Sequence, residues 1–245
     1  MSGVLLFGGS GGIGSSIARD LVRRQIPVCL AGRNEERLAL RASEVGATGY
    51  VVADVTSMEQ VEAAFASAGE MLGGVRGVAH CVGSILLKPA HLTSESEFVD
   101  VVSVNLTSAF RVVRTAARVM TSGGSVVLFS SAAARIGLAN HEAIAAAKAG
   151  IIGLTLSAAA TYAARGLRIN CVAPGLVATQ LSEKITSNPA SAAFSTTLHP
   201  LGRLGQPDDV GAIAGLLLGD DASWITGQVF GVDGGLGTLK VVSQK

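Results

Sequence analysis

The sequence predicts a single α/β domain over residues 1–245: a doubly wound, seven-stranded parallel sheet with helices on both faces. Three observations predict it. Short apolar runs without polar alternation recur along the chain, as strands covered on both faces require. Longer segments with helical spacing separate them, which is the connection that parallel strands need. A glycine-rich turn lies directly between the first strand and the first helix, where an open parallel sheet binds its ligand.

The elements follow in order. Strand 3–8 (GVLLFG) leads through the glycine turn to a helix at 12–24. Strand 27–32 (PVCLAG) precedes a helix at 34–45, and strand 49–53 (GYVVA) precedes one at 57–68. The fourth strand, 77–82 (GVAHCV), is followed by a long helix at 95–120. The fifth, 125–130 (SVVLFS), is followed by another at 141–165. After the sixth, 167–173 (LRINCVA), comes the stretch 180–200. With Asn188-Pro189 and no strong strand pattern, it suggests a mobile flap over a substrate. A helix at 207–218 and strand 228–232 (QVFGV) complete the sheet, and no linker or repeat divides the chain.

Hydrophobic residues make up 49% and charged residues 15%, enough to bury a sizeable core and to exclude disorder. A net charge of +1 without any like-charge block argues against nucleic acid or an anionic membrane as partner. Cys29, Cys81 and Cys171 are odd in number, lie in strand-like runs and lack metal-ligand spacing, so reduced thiols and no metal are expected. The start, MSGVLLFGGSGG, has no basic segment before its short apolar run, which argues against a signal peptide. The apolar stretch 143–164 is interrupted by Lys148 and rich in Ala and Gly, so it reads as a buried or subunit-contact helix. A cytoplasmic chain is the expectation.

The stretch VLLFGGSGGIGSSIARDLV places Gly8, Gly12 and Gly14 in a GxxxGxG turn, with Gly11 and Ile13 between them. Such glycines let the backbone approach a pyrophosphate at the helix N-terminus. At the end of the second strand, where an NAD site carries Asp or Glu, this chain has Arg33. A guanidinium favours the 2′-phosphate of NADP(H), and Ser10 could add a hydroxyl contact. A solvated helix-start cation is the bland alternative for Arg33.

From Val4 to about Gly235 the chain resembles the short-chain dehydrogenase/reductase family, particularly its 3-oxoacyl-(acyl carrier protein) reductase branch. GGSGGIG resembles the family's TGxxxGIG, with Phe7 in place of threonine. The resemblance implies that Asp54, in ADVT, holds the adenine and that Val55 flanks it. HCVG at 80–83 stands where NNAG is usual, and only Gly83 matches. By the same resemblance SVNLTSAF supplies the active-site Asn105, and VVLFSS supplies Ser131. CVAPGLVAT resembles the PG motif of Pro174, whose Val177 backbone and Thr179 hydroxyl would meet the nicotinamide carboxamide. PLGRLGQPDDVGAIAGLLLGDDASWITGQVFGVDGG is similar to the C-terminal motif.

The family's chemistry implies serine and tyrosine on the substrate oxygen, and lysine on the ribose, lowering the tyrosine pKa. Tyrosine would stand four residues before Lys148 and thirteen after Ser131. Both counts land on Ile144, which can neither give nor take a proton. Tyr162 lies fourteen residues past Lys148, about 21 Å along a helix, and Tyr50 lies in the third strand. His141 is seven residues before Lys148, on the same helical face and about 10 Å away along the axis. An imidazole titrates near pH ~6.5 and can donate a proton without a cation to tune it. A water-facing residue at the helix start is the alternative. Glu142, about 100° round the helix, reads as a first-turn acid. His80, His91 and His199 have no spacing argument and read as structural or exposed, with His199 a weak flap candidate.

The expected activity is hydride transfer between NADP(H) and a small-molecule carbonyl or alcohol. Reduction of a conjugated C=C bond and a nucleotide-binding regulator without turnover are the alternatives. The small-residue-rich long helices imply, by the same resemblance, a homotetramer with two-fold contacts.

Overall fold

The computed structural model describes residues 2–240. Its sheet is seven-stranded and parallel throughout, in the order β3-β2-β1-β4-β5-β6-β7. The elements run β1 Gly3–Phe7, α1 Gly12–Arg23, β2 Val28–Gly32, α2 Glu35–Val45, β3 Gly49–Val52, α3 Met58–Leu72 and β4 Val75–His80. Then follow α4 Glu95–Val102, α5 Ser108–Val119, β5 Gly124–Phe129, α6 Glu142–Tyr162 and β6 Leu167–Pro174. Short helices α7 Glu183–Thr186 and α8 Pro189–Leu198, then α9 Pro207–Leu218 and β7 Val229–Val232, close the described chain.

Alternation within each strand divides the core. In β1, Leu5 and Phe7 face the layer formed by α3, α5 and α6, whereas Val4 and Leu6 face α1, α2 and α9. Both sets are fully buried, so the strand has no polar face. The strand order reverses direction between β1 and β4, which opens a crevice at their C-terminal ends. Helix α6 is apolar and long enough to cross a membrane by length and composition. In this fold Ile151, Ala158 and Ala159 are buried in the core beneath the sheet.

Two segments differ from the sequence reading. The helix expected over 95–120 is broken by a π-helical turn, Ser103–Thr107, which separates α4 from α5. The stretch 180–200, expected as a mobile flap and given no helix or strand, carries α7 and α8. Asn188-Pro189 starts α8 rather than breaking the chain: the Asn188 side chain accepts the Ser191 N–H at 3.0 Å, and Pro189 fills the first turn. Two cysteines, Cys29 and Cys171, lie in strands, but Cys81 follows the end of β4. All three thiols are free.

Candidate active site

The glycine turn brings backbone to the crevice. Gly8 has φ +76, a conformation glycine adopts without strain, and its N–H donates to the Ala31 carbonyl at 2.8 Å. A Cβ on Gly14 would lie 2.4 Å from the Gly8 carbonyl oxygen, so the helix start closes tightly on the turn. A Cβ on Gly12 would lie 2.9 Å from the Thr179 methyl carbon. The turn after β1 and the loop after β6 therefore face each other across one cleft. Ser10, Gly11 and Ile13 line the same turn, with Ile13 packed toward the α1 side of the core.

Arg33 is exposed just beyond β2, and among the described residues it forms no ion pair or hydrogen bond. Asp54 lies near it. Hydrogen bonds from the Thr56 hydroxyl and backbone N–H hold the Asp54 carboxyl below its usual range, with the Arg33 and Arg111 charges adding to the effect. The Val55 side chain is buried in the core, which leaves its backbone for a ligand. This set fits a nicotinamide dinucleotide: a bare backbone cradle at a helix start, and a guanidinium at the tip of β2 that makes no pair among the described residues.

The catalytic candidates converge on Gly83. A Cβ there would lie 2.9 Å from Asn105 Oδ1 and 3.5 Å from Lys148 Nζ. Asn105 projects from the π turn and is 1% exposed. Its Nδ2 donates to the Val101 carbonyl and to Ser84 Oγ, both at 2.9 Å, and its Oδ1 accepts the Ser84 N–H at 3.2 Å. Lys148 Nζ donates to the Phe129 carbonyl at 2.9 Å, and Ser130 Oγ donates to the Lys148 carbonyl at 2.7 Å. Burial pushes the Lys148 ammonium down to about 8, with the neighbouring Cys171 and Cys81 acting the other way. Ser131 follows β5, and its Oγ accepts the Ala133 N–H at 3.1 Å, which leaves the hydroxyl proton free to donate.

Ile144 occupies the helix turn before Lys148 and is 6% exposed. It packs with Val101, Ala143 and Ala147, against Leu86 and Leu106. His141 is the N-cap of α6 rather than part of the helix. Asn140 precedes it at φ +64 and turns the chain, so a straight helical projection does not give the His141 direction. The ring Nδ1 lies 2.7 Å from the Ala139 carbonyl, which assigns the proton to Nδ1 and leaves Nε2 free. Among the described residues it makes no hydrogen bond to Ser131, Asn105 or Lys148. Tyr162 sits at the far end of α6, under the Arg165 guanidinium at 5.4 Å, and Tyr50 lies in β3.

Of the remaining histidines, His91 is exposed. His199 is buried, with Nδ1 2.7 Å from the Ser195 carbonyl and Nε2 accepting the Leu176 N–H at 3.1 Å, so it ties α8 to the loop after β6. His80 is buried beside the site. The sequence reading missed Ser84, Ser108 and Ser130. The HCVG departure marked the neighbourhood of the first two, and nothing in the pattern distinguished Ser130 from its neighbour Ser131.

A family model described as Enoyl-(Acyl carrier protein) reductase matches residues 8–237. The chain is 32% identical over 244 residues to 2-(S)-hydroxypropyl-CoM dehydrogenase 3 of Xanthobacter autotrophicus, covering 95% of each. A short-chain type dehydrogenase/reductase from Mycobacterium ulcerans superposes with a TM-score of 0.91 at 32% identity, over 96% of this chain and 89% of that one. An actinorhodin polyketide ketoreductase solved with NADPH superposes with a TM-score of 0.90 at 28% identity, over 97% and 98%. The glycine turn, the Asn105–Lys148 convergence and these matches over nearly the full length agree: the chain belongs to the short-chain dehydrogenase/reductase family of oxidoreductases.

Proposed function

We propose that the protein is an NADP(H)-dependent oxidoreductase acting on a carbonyl or alcohol, with His141 and the Ser131 hydroxyl replacing the phenol absent at Ile144. The observation that carries this is the meeting of Asn105, Lys148 and Gly83 in the cleft that also holds the glycine turn and Thr179. Arg33, exposed and without a pair among the described residues, supports NADP(H) over NAD(H). The nicotinamide, when bound, supplies or accepts the hydride. Ser131 donates its free proton to the substrate oxygen and so orients the carbonyl. Lys148 keeps two N–H groups beyond its Phe129 bond, and these hold the ribose. Pro174, Val177 and Thr179, at the end of β6 and on the loop after it that faces the glycine turn, would hold the carboxamide. His141, whose Nδ1–H is held by the Ala139 carbonyl, gives a proton only as the imidazolium: it loses the Nε2 proton to the substrate oxygen, directly or through water, and Nε2 takes a proton back from solvent.

A conjugated C=C substrate is the second reading. The apolar side chain at Ile144, where a phenol would stand, supports it, because hydride addition to a conjugated C=C bond gives an enolate that a weaker proton source can quench. Loss of NADPH absorbance, followed over ketones, β-ketoesters and enoyl thioesters, separates the two. Cofactor binding without turnover on any of them would identify a regulator instead. A cytoplasmic homotetramer completes the proposal.

A further inference from the structure

We propose that His80 is a positioning residue: through Ser108 it fixes the π turn from which Asn105 enters the site. His80 ends β4 and is 2% exposed. Its Nε2 lies 2.8 Å from Ser108 Oγ, and Ser108 Oγ lies 2.5 Å from the Val104 carbonyl oxygen.

The proton assignment follows from these contacts. A hydroxyl has one proton, and a carbonyl has none to offer. The Ser108 proton must therefore point at Val104, and Ser108 turns its lone pairs to the ring. Nε2 must then carry hydrogen and donate. The ring is the neutral Nε2–H tautomer, and its Nδ1 is left without a partner among the described residues. Burial, with the Lys148 charge adding to it, pushes the ring down to about 3, in keeping with a permanently neutral donor.

Val104 belongs to the π turn, and Asn105 is the next residue. The Ser108 N–H goes to the Ser103 carbonyl, five residues back, as π geometry demands. The usual helical donor to Val104 is thus diverted, and the Ser108 hydroxyl takes its place. The bonding forms a circuit. His80 holds Ser108, Ser108 holds Val104, and Asn105 returns to Ser84, four residues beyond His80. Without the hydroxyl bond the turn can relax toward an α-helix. That slips the register by one residue and swings the Asn105 side chain by about 100°. The HCVG departure is then explained: a ring donor, reaching a serine on α5, stands at the head of this motif.

The role of Asn105 in turnover rests on the proposed function, so the test has a readout that needs none. Ser108→Ala and His80→Leu remove the brace, and His80→Gln keeps a side-chain N–H near the Nε2 position. We expect nitrogen NMR of the wild-type ring to show one protonated and one bare nitrogen, unchanged across neutral to mildly acidic pH. The Asn105 side-chain amide signal, identified by its loss in Asn105→Ala, should move in Ser108→Ala and His80→Leu and stay in place in His80→Gln. In an active enzyme, Ser108→Ala should lower kcat about tenfold at nearly constant KM, and by less than about twofold in an Asn105→Ala background. An Asn105 signal that ignores Ser108→Ala overturns the proposal, as does a full additive loss on top of Asn105→Ala. Absence of any turnover would overturn the proposed function alone, since the amide signal still decides the positioning role.

Discussion

Lys148, on α6, donates a 2.9 Å hydrogen bond to the carbonyl of Phe129, the last residue of β5. The bond draws the ammonium under the sheet edge, where burial lowers its pKa to about 8. The cation, not the amine, holds an anionic cofactor, so protonation and binding are linked. The sign is fixed: as pH rises through about 8, Lys148 loses its charge and NADPH should bind more weakly. The loss should approach about tenfold per pH unit, read by fluorescence titration, and Lys148→Met should flatten the dependence.

Arg33 tests the proposed choice of cofactor. NADPH should bind about 10–150-fold more tightly than NADH, the worth of a charge-assisted contact to the 2′-phosphate. Arg33→Asp should abolish or reverse this preference. Equal dissociation constants for the two cofactors in the unaltered protein would remove Arg33 from the site.

His141→Phe tests the replacement proton donor. A positioned acid contributes about 10²–10⁴-fold, so kcat should fall by that factor while NADPH affinity holds. An unchanged kcat would make the histidine a plain helix cap and leave the proton to Ser131 or water.

Ile144→Tyr asks whether the gap accepts a phenol. Ile144 is packed among Val101, Ala147 and Leu86, so the larger ring should cost about 1–3 kcal/mol of stability by denaturant unfolding. In a His141→Phe background it should restore turnover. A stable protein that remains inactive would show that the Ile144 position serves substrate shape instead.

Phe98, Val99, Phe110 and Leu156 are exposed on α4, α5 and α6. A homotetramer would cover such apolar surface at a two-fold contact. Light scattering at micromolar concentration should give four times the chain mass, and Phe110→Glu should shift it downward. A monomer mass for the unaltered protein would refute the assembly.

The sequence alone determined the sheet and much of the cleft. Unalternating runs such as GVLLFG must be buried on both faces, and the glycine turn announces itself because only bare backbone permits the Gly8–Gly14 approach. Asn105, Ser131 and Lys148 were legible through the family resemblance, because the motifs SVNLTSAF and VVLFSS and the lone lysine of an apolar helix are local in sequence. Tertiary structure decided what depends on contacts between distant segments. The π turn is invisible in a helical pattern, since the Ser108 hydroxyl of α5, braced by His80 of β4, holds it rather than local propensity. The Asn188-Pro189 pair reads as part of a flap until the Asn188 side chain, accepting the Ser191 N–H, shows it starting a helix. The direction of His141 depends on the left-handed Asn140 before it, and periodicity carries no information about a residue that stands outside the helix.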